Sequence, residues 1–205
     1  MNDPWLDFII RIQAIAQAGL AYGKDRYDLE RYTQLRQIAA EMLAARTSLP
    51  KERIGDLFLN ESGYQTPKVD TRGAVFLDGK ILLARENNGA WALPGGWCDV
   101  DLSVAANTEK EVLEETGAVV RAERLIAVQD WRRRNVVNHL YGVVKVFMLC
   151  RYLGGTFEKN IETTEAAFFA KDALPSPLAE EKTTREQIDM CFAFHDRPDA
   201  PALFD

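Results

Sequence analysis

The sequence predicts an α+β protein, an α/β/α sandwich with a mixed sheet that is preceded by a small all-helical domain. Three observations predict this class. Apolar residues recur at helical spacing in the first 60 residues, and the runs after residue 70 have the apolar content of strands. One long helix pattern interrupts these runs and another follows them. This order of elements is typical of helices packed on a sheet.

Length and charge limit the classes of protein. The chain has 205 residues, of which 47% are hydrophobic, enough for one domain with an appended module or two small domains. Its formal net charge of -6 disfavours nucleic acid as a partner. No apolar run reaches the roughly 20 residues of a membrane span, and no signal peptide is recognisable. We therefore expect a soluble, cytoplasmic protein that does not bind membranes.

Helical spacing of apolar residues predicts two helices near the amino terminus. The first begins at Asp3 and Pro4, a cap followed by proline in the first turn. The second begins near Asp28 and ends before residue 47, and a third, short helix is predicted over residues 53–59. The two apolar stripes are Trp5, Phe8, Ile9, Ile12, Ile15 and Ala16, and Leu29, Tyr32, Leu35, Ile38, Met42 and Leu43.

A stretch rich in turn formers, residues 60–70, separates this part from the remainder of the chain. We place the domain boundary there, with a helical domain at residues 1–62 and a second domain at residues 63–205. In the second domain, Asp78-Gly79 between two apolar runs predicts a hairpin. Near the carboxyl end, Thr183 and Glu186 form a capping box that predicts the last helix.

Residues 103–116 are predicted to form a helix with three glutamates on one face. Its first residue is a suitable N-cap, and Gly117 is placed to terminate it in the left-handed conformation. At about 100° per residue, Glu111, Glu114 and Glu115 fall within about 100° of arc. Two interpretations are open, an acidic solvated face or a site for a hard divalent cation such as Mg²⁺ or Mn²⁺.

The segment upstream of this helix favours the cation. "LPGGW", residues 93–97, follows a strand-like run and contains two glycines, which are typical of a sharp turn or of a close approach to a ligand. The strand, the glycine loop and the helix form one unit that can bring carbonyl and carboxylate oxygens to the same ion. A bound cation would also remove the repulsion between the glutamates.

Residues 96–118 resemble the Nudix box, whose pattern is G-x5-E-x7-R-E-U-x-E-E-x-G-U with U apolar. Both glycines and the glutamates of the REUxEE core are present. Leu102 replaces the first glutamate and Lys110 replaces the arginine. In the family these two residues mainly brace the loop against the helix, whereas the later glutamates hold metal. The resemblance therefore implies a working enzyme.

Nearly the whole chain resembles a subgroup of Nudix hydrolases that have an N-terminal helical extension. The stretches that carry this wider resemblance include "LERYTQLRQIAAEML" and "GYQTPKVDTRGAVF". Members of this subgroup split CDP-choline or ADP-ribose-like compounds and are often homodimers. The implied reaction is Mg²⁺-assisted attack of water on the diphosphate bridge of a nucleotide substrate, which releases a nucleoside monophosphate. The alternative is a catalytically weak module that binds a nucleotide or a protein partner.

The resemblance implies a set of metal ligands. These are Glu111, Glu114 and Glu115, together with the backbone carbonyl of Gly96. Glu111 is also a candidate general base. Glu109 lies on the packing side of the helix, where the family has an apolar residue, and we expect a neighbouring basic residue to neutralise it.

Further site residues are implied outside the box. "NIETTEAAFF" contains two candidates for an additional base or ligand, with a solvated loop acid as the alternative for each. We prefer Glu162 because Glu165 is expected to lie in a strand. Arg72 and Arg85 are implied to face the substrate, with a surface ion pair as the alternative for each. Trp97 is a candidate for stacking on a base, with a role in the core as its alternative.

Overall fold

The computed structural model describes residues 4–46, 63–135 and 141–205. Its contacts divide the chain into two compact units. The described part of the first unit comprises residues 4–46, 63–67 and 141–142, and that of the second comprises residues 68–135 and 143–205. The third helix predicted over residues 53–59 lies outside the described residues.

The first unit contains two helices, α1 (Pro4–Tyr22) and α2 (Arg26–Arg46), as predicted. Their buried residues are Ile9, Gln13, Ala16 and Gln17 of α1, and Ala39 and Leu43 of α2. The predicted apolar stripe of α1 only partly matches its buried face, because Gln13 and Gln17 are buried whereas Trp5, Phe8 and Ile15 are about half exposed or more. Two paired helices cover only a narrow strip of each other, so the outer part of each stripe remains at the surface.

Helix α2 begins earlier than predicted. The carboxylate of Asp25 accepts hydrogen bonds from the N–H groups of Tyr27 (2.9 Å) and Asp28 (3.1 Å). Asp25 therefore supplies the cap, and Asp28 lies inside the first turn. Asp25 and Asp28 are both suitable caps by residue type, and in the folded protein the helix begins after Asp25.

The second unit contains a mixed sheet of seven strands among the described residues. The strands are β1 (Lys68–Leu77), β2 (Lys80–Glu86), β3 (Trp91–Ala92), β4 (Ala118–Asp130), β5 (Val143–Gly155), β6 (Thr163–Phe169) and β7 (Leu203–Phe204). Their order is β3-β2-β1-β5-β4-β7, and β6 pairs with β2. β1 is parallel to β5 and β7 to β4, whereas the other pairs are antiparallel. The predicted hairpin at Asp78-Gly79 connects β1 to β2, and both residues have positive φ.

Helices cover both faces of this sheet. They are α3 (Val104–Thr116), the single turn α4 (Trp131–Arg134) and α5 (Arg185–His195). Val75 packs in one core cluster with Val112 of α3, whereas its neighbour Phe76 packs in the other with Ile188 and Phe192 of α5. Successive strand residues point to opposite faces, so α3 and α5 lie on opposite sides of the sheet. The predicted α/β/α sandwich is confirmed.

The start of α5 differs from the prediction by one residue. Its capping box is formed by Thr184 and Gln187, each of which accepts a hydrogen bond from the other's backbone N–H. Thr183 is buried instead, and its hydroxyl accepts the N–H of Leu93 at 3.2 Å. Either glutamine or glutamate can occupy the third helical position of a capping box. The sequence therefore fits two overlapping boxes, Thr183 with Glu186 and Thr184 with Gln187.

None of the helices in the described ranges is both long enough and apolar enough to cross a membrane.

Candidate active site

The ends of α3 are those the sequence predicts. The hydroxyl of Ser103 accepts the N–H of Ala106 at 3.2 Å, which caps the first turn. Gly117 has φ of 67° and donates its N–H to the carbonyl of Leu113, which ends the helix. The helix therefore presents its glutamates over its last two turns.

Three of the four glutamates of α3 meet at one open cleft of about 330 Å³. The cleft is lined by Glu111, Glu114, Glu115, Asn160, Ile161 and Glu162. The structure thus brings Glu162 to the same cleft as the helix glutamates. Glu165 lies in β6, where its carboxylate is 3.4 Å from the guanidinium of Arg85.

Glu115 is largely enclosed at this cleft. Its carboxylate accepts the N–H of Gly95 at 2.9 Å, which connects the helix to the glycine loop. Burial raises the pKa of Glu115 to about 7, although Arg72, the Gly95 hydrogen bond and Lys182 act in the opposite direction. A nearby cation would stabilise the ionised form and lower this pKa.

Lys110 lies beside Glu111 and Glu114, the two other glutamates that line the cleft from α3. Its ammonium lies 3.1 Å from Glu111 and 3.2 Å from Glu114. It also lies 3.2 Å from Asp99, a residue of the loop after the glycines. Hydrogen bonds to Glu111, Asp99 and Glu114 raise the pKa of Lys110. The sequence did not identify Asp99 as a residue of the site, because the Nudix box pattern specifies no carboxylate at that position.

The two glycines of the loop have different requirements. Gly95 has φ of 144°, and a β-carbon there would collide with the backbone carbonyl of Thr71. A β-carbon on Gly96 would lie 2.5 Å from Oε2 of Glu111. The carbonyl of Gly96, predicted as a metal ligand, accepts the N–H of Thr71 at 2.8 Å. The first glycine thus fits the loop against β1, and the second leaves room for a carboxylate.

Asn107 holds the loop in place from inside the helix. Its side chain is fully buried and donates to the hydroxyl of Thr71 (2.9 Å) and the carbonyl of Trp97 (3.2 Å). It also accepts the N–H of Asp99 at 3.0 Å. One amide therefore joins β1, the loop and α3. The sequence does contain an indication of this role, because Asn107 is a polar residue on the packing face of the predicted helix.

Arg72 is buried, with only 3% of its surface exposed. It forms a bidentate pair with Asp70 at 2.6 and 2.8 Å and donates to the carbonyl of Leu93. Burial lowers the pKa of Arg72, but Asp70, followed by Glu115, more than offsets this, so the net shift is upward. The observed partners of Arg72 are protein groups, and its predicted contact with substrate stays a prediction.

Lys145 completes this buried group of charges. Its ammonium lies 3.8 Å from Asp70 and donates to the carbonyl of Lys182. Burial lowers the pKa of Lys145 to about 7, with Arg72 acting in the same direction. In sequence, Lys145 appeared only as one charge within an apolar strand.

The other two predicted substrate residues are accessible. Arg85 is exposed, donates to the carbonyl of Gly89 and lies over the ring of Trp91 at 5.9 Å. Trp97 is 45% exposed. Contact of either residue with substrate remains a prediction.

Glu109 has a backbone partner in place of the predicted basic residue. Its carboxylate accepts the backbone N–H of Ala122 at 2.8 Å, next to an irregularity in the pairing of β4 with β5. A backbone donor left free by this irregularity replaces the expected basic residue.

The residues of the cleft have the chemistry of a divalent-cation site. Within the ranges the structure describes, no group of three or more Asp, Glu, His or Cys side chains is placed so that it could hold a metal ion. The donors nevertheless fit a hard cation, because four carboxylates line one cleft and Gly96 leaves space beside Glu111. Two of these carboxylates bind the Lys110 ammonium, which marks a position where positive charge is accepted.

This sandwich, with a glutamate helix and a glycine loop beside one cleft, defines the class of Nudix hydrolases. Residues 67–190 match the NUDIX domain, and residues 3–58 match the family described as a UDP-X-like, N-terminal oligomerisation domain. The chain belongs to the Nudix hydrolase family.

Similar proteins extend this assignment. YjhB of Bacillus subtilis (strain 168) is 46% identical over 202 residues, which cover 98% of this chain and 97% of YjhB. An ADP-ribose pyrophosphatase from Streptococcus suis 89-1591 is 48% identical with a TM-score of 0.64, over 68% of this chain and 100% of that one. A UDP-X diphosphatase structure is 35% identical with a TM-score of 0.64, over 98% of both chains. The chain is therefore a Nudix pyrophosphatase similar to these enzymes.

Proposed function

We propose that this protein is a Mg²⁺-dependent pyrophosphohydrolase that cleaves the diphosphate bridge of a nucleoside diphosphate linked to another group. ADP-ribose-like compounds are the first substrate class to consider, and CDP-choline-like compounds are the second. The observation that carries this proposal is the presence of Glu111, Glu114, Glu115 and Glu162 at one cleft. Similarity to an ADP-ribose pyrophosphatase over the Nudix domain supports the first class.

Glu111, Glu114 and Glu115 of α3 would hold the cation, for which Mn²⁺ is an alternative to Mg²⁺. When bound, the metal neutralises the oxygens of the bridge and lowers the pKa of water. Glu111 and Glu114 would first have to release the Lys110 ammonium, which contacts both carboxylates in the structure. Glu162 is exposed on a second lining segment of the cleft and would accept the proton from the attacking water.

We further propose a homodimer formed through the N-terminal helices. The match of residues 3–58 to an oligomerisation domain supports this assembly. Trp5, Phe8 and Ile15 of α1 expose 52%, 48% and 62% of their surfaces, which a second subunit would cover. Light scattering of the wild type and of Phe8→Asp tests the proposal. A monomeric wild type would contradict it.

The activity is tested by incubating the protein with ADP-ribose, CDP-choline, a UDP-sugar and NADH, with and without Mg²⁺. Mass spectrometry should detect a nucleoside monophosphate and a phosphorylated remainder only with the metal. Replacing the three helix glutamates by glutamine should abolish release, while Glu158→Gln on an exposed loop position should not.

The opposite outcome has a definite meaning. Binding of a nucleotide without Mg²⁺, and no turnover of any substrate, would contradict hydrolysis and support the alternative of a binding module.

A further inference from the structure

Asn160 links the loop before β6 to the glutamate helix. Its side-chain N–H₂ donates to the backbone carbonyl of Glu114 at 2.8 Å. Its side-chain oxygen accepts the N–H groups of Glu162 (2.9 Å) and Thr163 (2.8 Å). A single amide thus makes one hydrogen bond to a helix 46 residues earlier in the chain and two to its own loop.

The carbonyl of Glu114 is one of the last four of α3, which have no partner inside the helix. Asn160 satisfies this carbonyl and, with its side-chain oxygen, fixes the backbone N–H groups of Glu162 and Thr163. The local bonds to Glu162 and Thr163 alone would form an ordinary turn. The bond to the helix has no part in that turn, so it places the turn relative to α3.

A second asparagine holds the same loop from the sheet side. Asn87, which follows β2, donates to the carbonyl of Ile161 at 2.5 Å. Thr163, the first residue of β6, is only 2% exposed. The backbone of Glu162 is therefore fixed on both sides, while its side chain remains exposed at the cleft.

We infer that Asn160 is a positioning residue that sets the Glu162 carboxylate against the glutamates of α3. This inference rests on the proposed function, in which Glu162 accepts the proton. Asn160 would act through the loop backbone, because its side-chain amide is bonded to protein groups at both ends. Small displacements of a catalytic group are costly, since about 1 Å can reduce a rate by about 100-fold.

The test compares Asn160→Ala, Asn160→Asp and Glu162→Gln, alone and combined, with Asn88→Ala as a matched control on the β2–β3 turn. We expect Asn160→Ala to lower kcat by about 10- to 100-fold with little change in KM, because positioning affects the chemical step. In the Glu162→Gln background it should cause no further loss, because the two residues act together. Asn88→Ala should retain the wild-type kcat.

Asn160→Asp separates the two ends of the side chain. It keeps the acceptor for Glu162 and Thr163 but loses the donor to Glu114, so we expect a kcat between those of the alanine variant and the wild type. Hydrogen exchange provides a readout that does not depend on activity. The amides of residues 162 and 163 should exchange faster in Asn160→Ala, and should remain protected in Asn160→Asp and Asn88→Ala.

Three results would overturn the inference. They are a wild-type kcat in Asn160→Ala, a loss that multiplies fully with that of Glu162→Gln, and a Glu162→Gln variant with the wild-type kcat. Absence of turnover by the wild-type protein would contradict the proposed function itself. If the wild type is active and Asn160→Ala has the same kcat, only the inference about Asn160 is contradicted and the proposed function stands.

Discussion

The ammonium of Lys110 lies 3.2 Å from the carboxylate of Asp99, and this pair joins α3 to the loop that follows the glycines. The Nudix pattern places a glutamate at residue 102 and an arginine at residue 110 for the same purpose, and here both have changed. Leu102 cannot pair with a cation, but Asp99 supplies a carboxylate three residues earlier. The connection between loop and helix is therefore retained with a different partner.

Lys110→Gln tests whether this lysine substitutes for a metal ion. The change should lower the stability of the metal-free protein by up to about 1 kcal/mol, the usual range for partly exposed pairs. Glu111 and Glu114 would then repel each other with no adjacent cation, so Mg²⁺ should raise Tm more than it does in the wild type. Thermal melting with and without Mg²⁺ measures both effects. Lys80→Gln, an exposed lysine on the hairpin, is the control, and equal Mg²⁺ shifts in all three proteins would contradict the prediction.

The two loop glycines should respond differently to alanine. Gly95→Ala should destabilise the domain by more than about 3 kcal/mol, because backbone strain at positive φ is added to a collision with the Thr71 carbonyl. Gly96→Ala meets only the mobile end of Glu111, so the fold should be retained while Mg²⁺ binding weakens. Urea unfolding and titration calorimetry separate the two effects. Equal loss of stability in both variants would count against this assignment.

Arg72→Met should reduce the free energy of unfolding by about 3–5 kcal/mol, because it leaves the buried carboxylate of Asp70 without its bidentate partner. Lys145, 3.8 Å away, compensates only in part. Arg85→Met is the control, since its exposed pair should contribute less than about 1 kcal/mol. Urea denaturation followed by tryptophan fluorescence measures the difference. A raised KM with unchanged stability would instead support the substrate role predicted from the sequence.

Glu115 should make the stability of the metal-free protein depend on pH. Its pKa is raised from 4.5 to about 7 by burial, so the folded state binds the proton more tightly than the unfolded state does. The stability that this proton provides is complete below pH 4.5 and is lost as the pH rises through 7. The slope for one group is at most about 1.4 kcal/mol per pH unit.

The comparison is made between the wild type and Glu115→Gln by urea unfolding in EDTA from pH 5 to pH 8. The free energy of unfolding of the variant should fall less over this range, because glutamine does not titrate. Parallel curves for the two proteins would show that Glu115 does not carry the dependence.

Local patterns predicted most of the fold. Ser103, Gly117 and the Asp78-Gly79 turn behave as expected, because caps and tight turns depend on residues within four positions of one another. Errors arose where two residues could serve equally well, as at Asp25 and Asp28 or at Thr183 and Thr184. The backbone chooses between such neighbours according to how the helix packs, and a single sequence does not contain that information.

The sequence by itself determined that three glutamates share a helix face next to a glycine loop, since helical periodicity and turn chemistry are local properties. Only the tertiary structure decided which groups meet those glutamates. Asp99 is connected to them through Lys110, and Gly95 donates to Glu115. Asn160 reaches the carbonyl of Glu114 from a loop 46 residues later in the chain. Such contacts depend on the register of strands and on the approach of loops, which form when distant segments pack together.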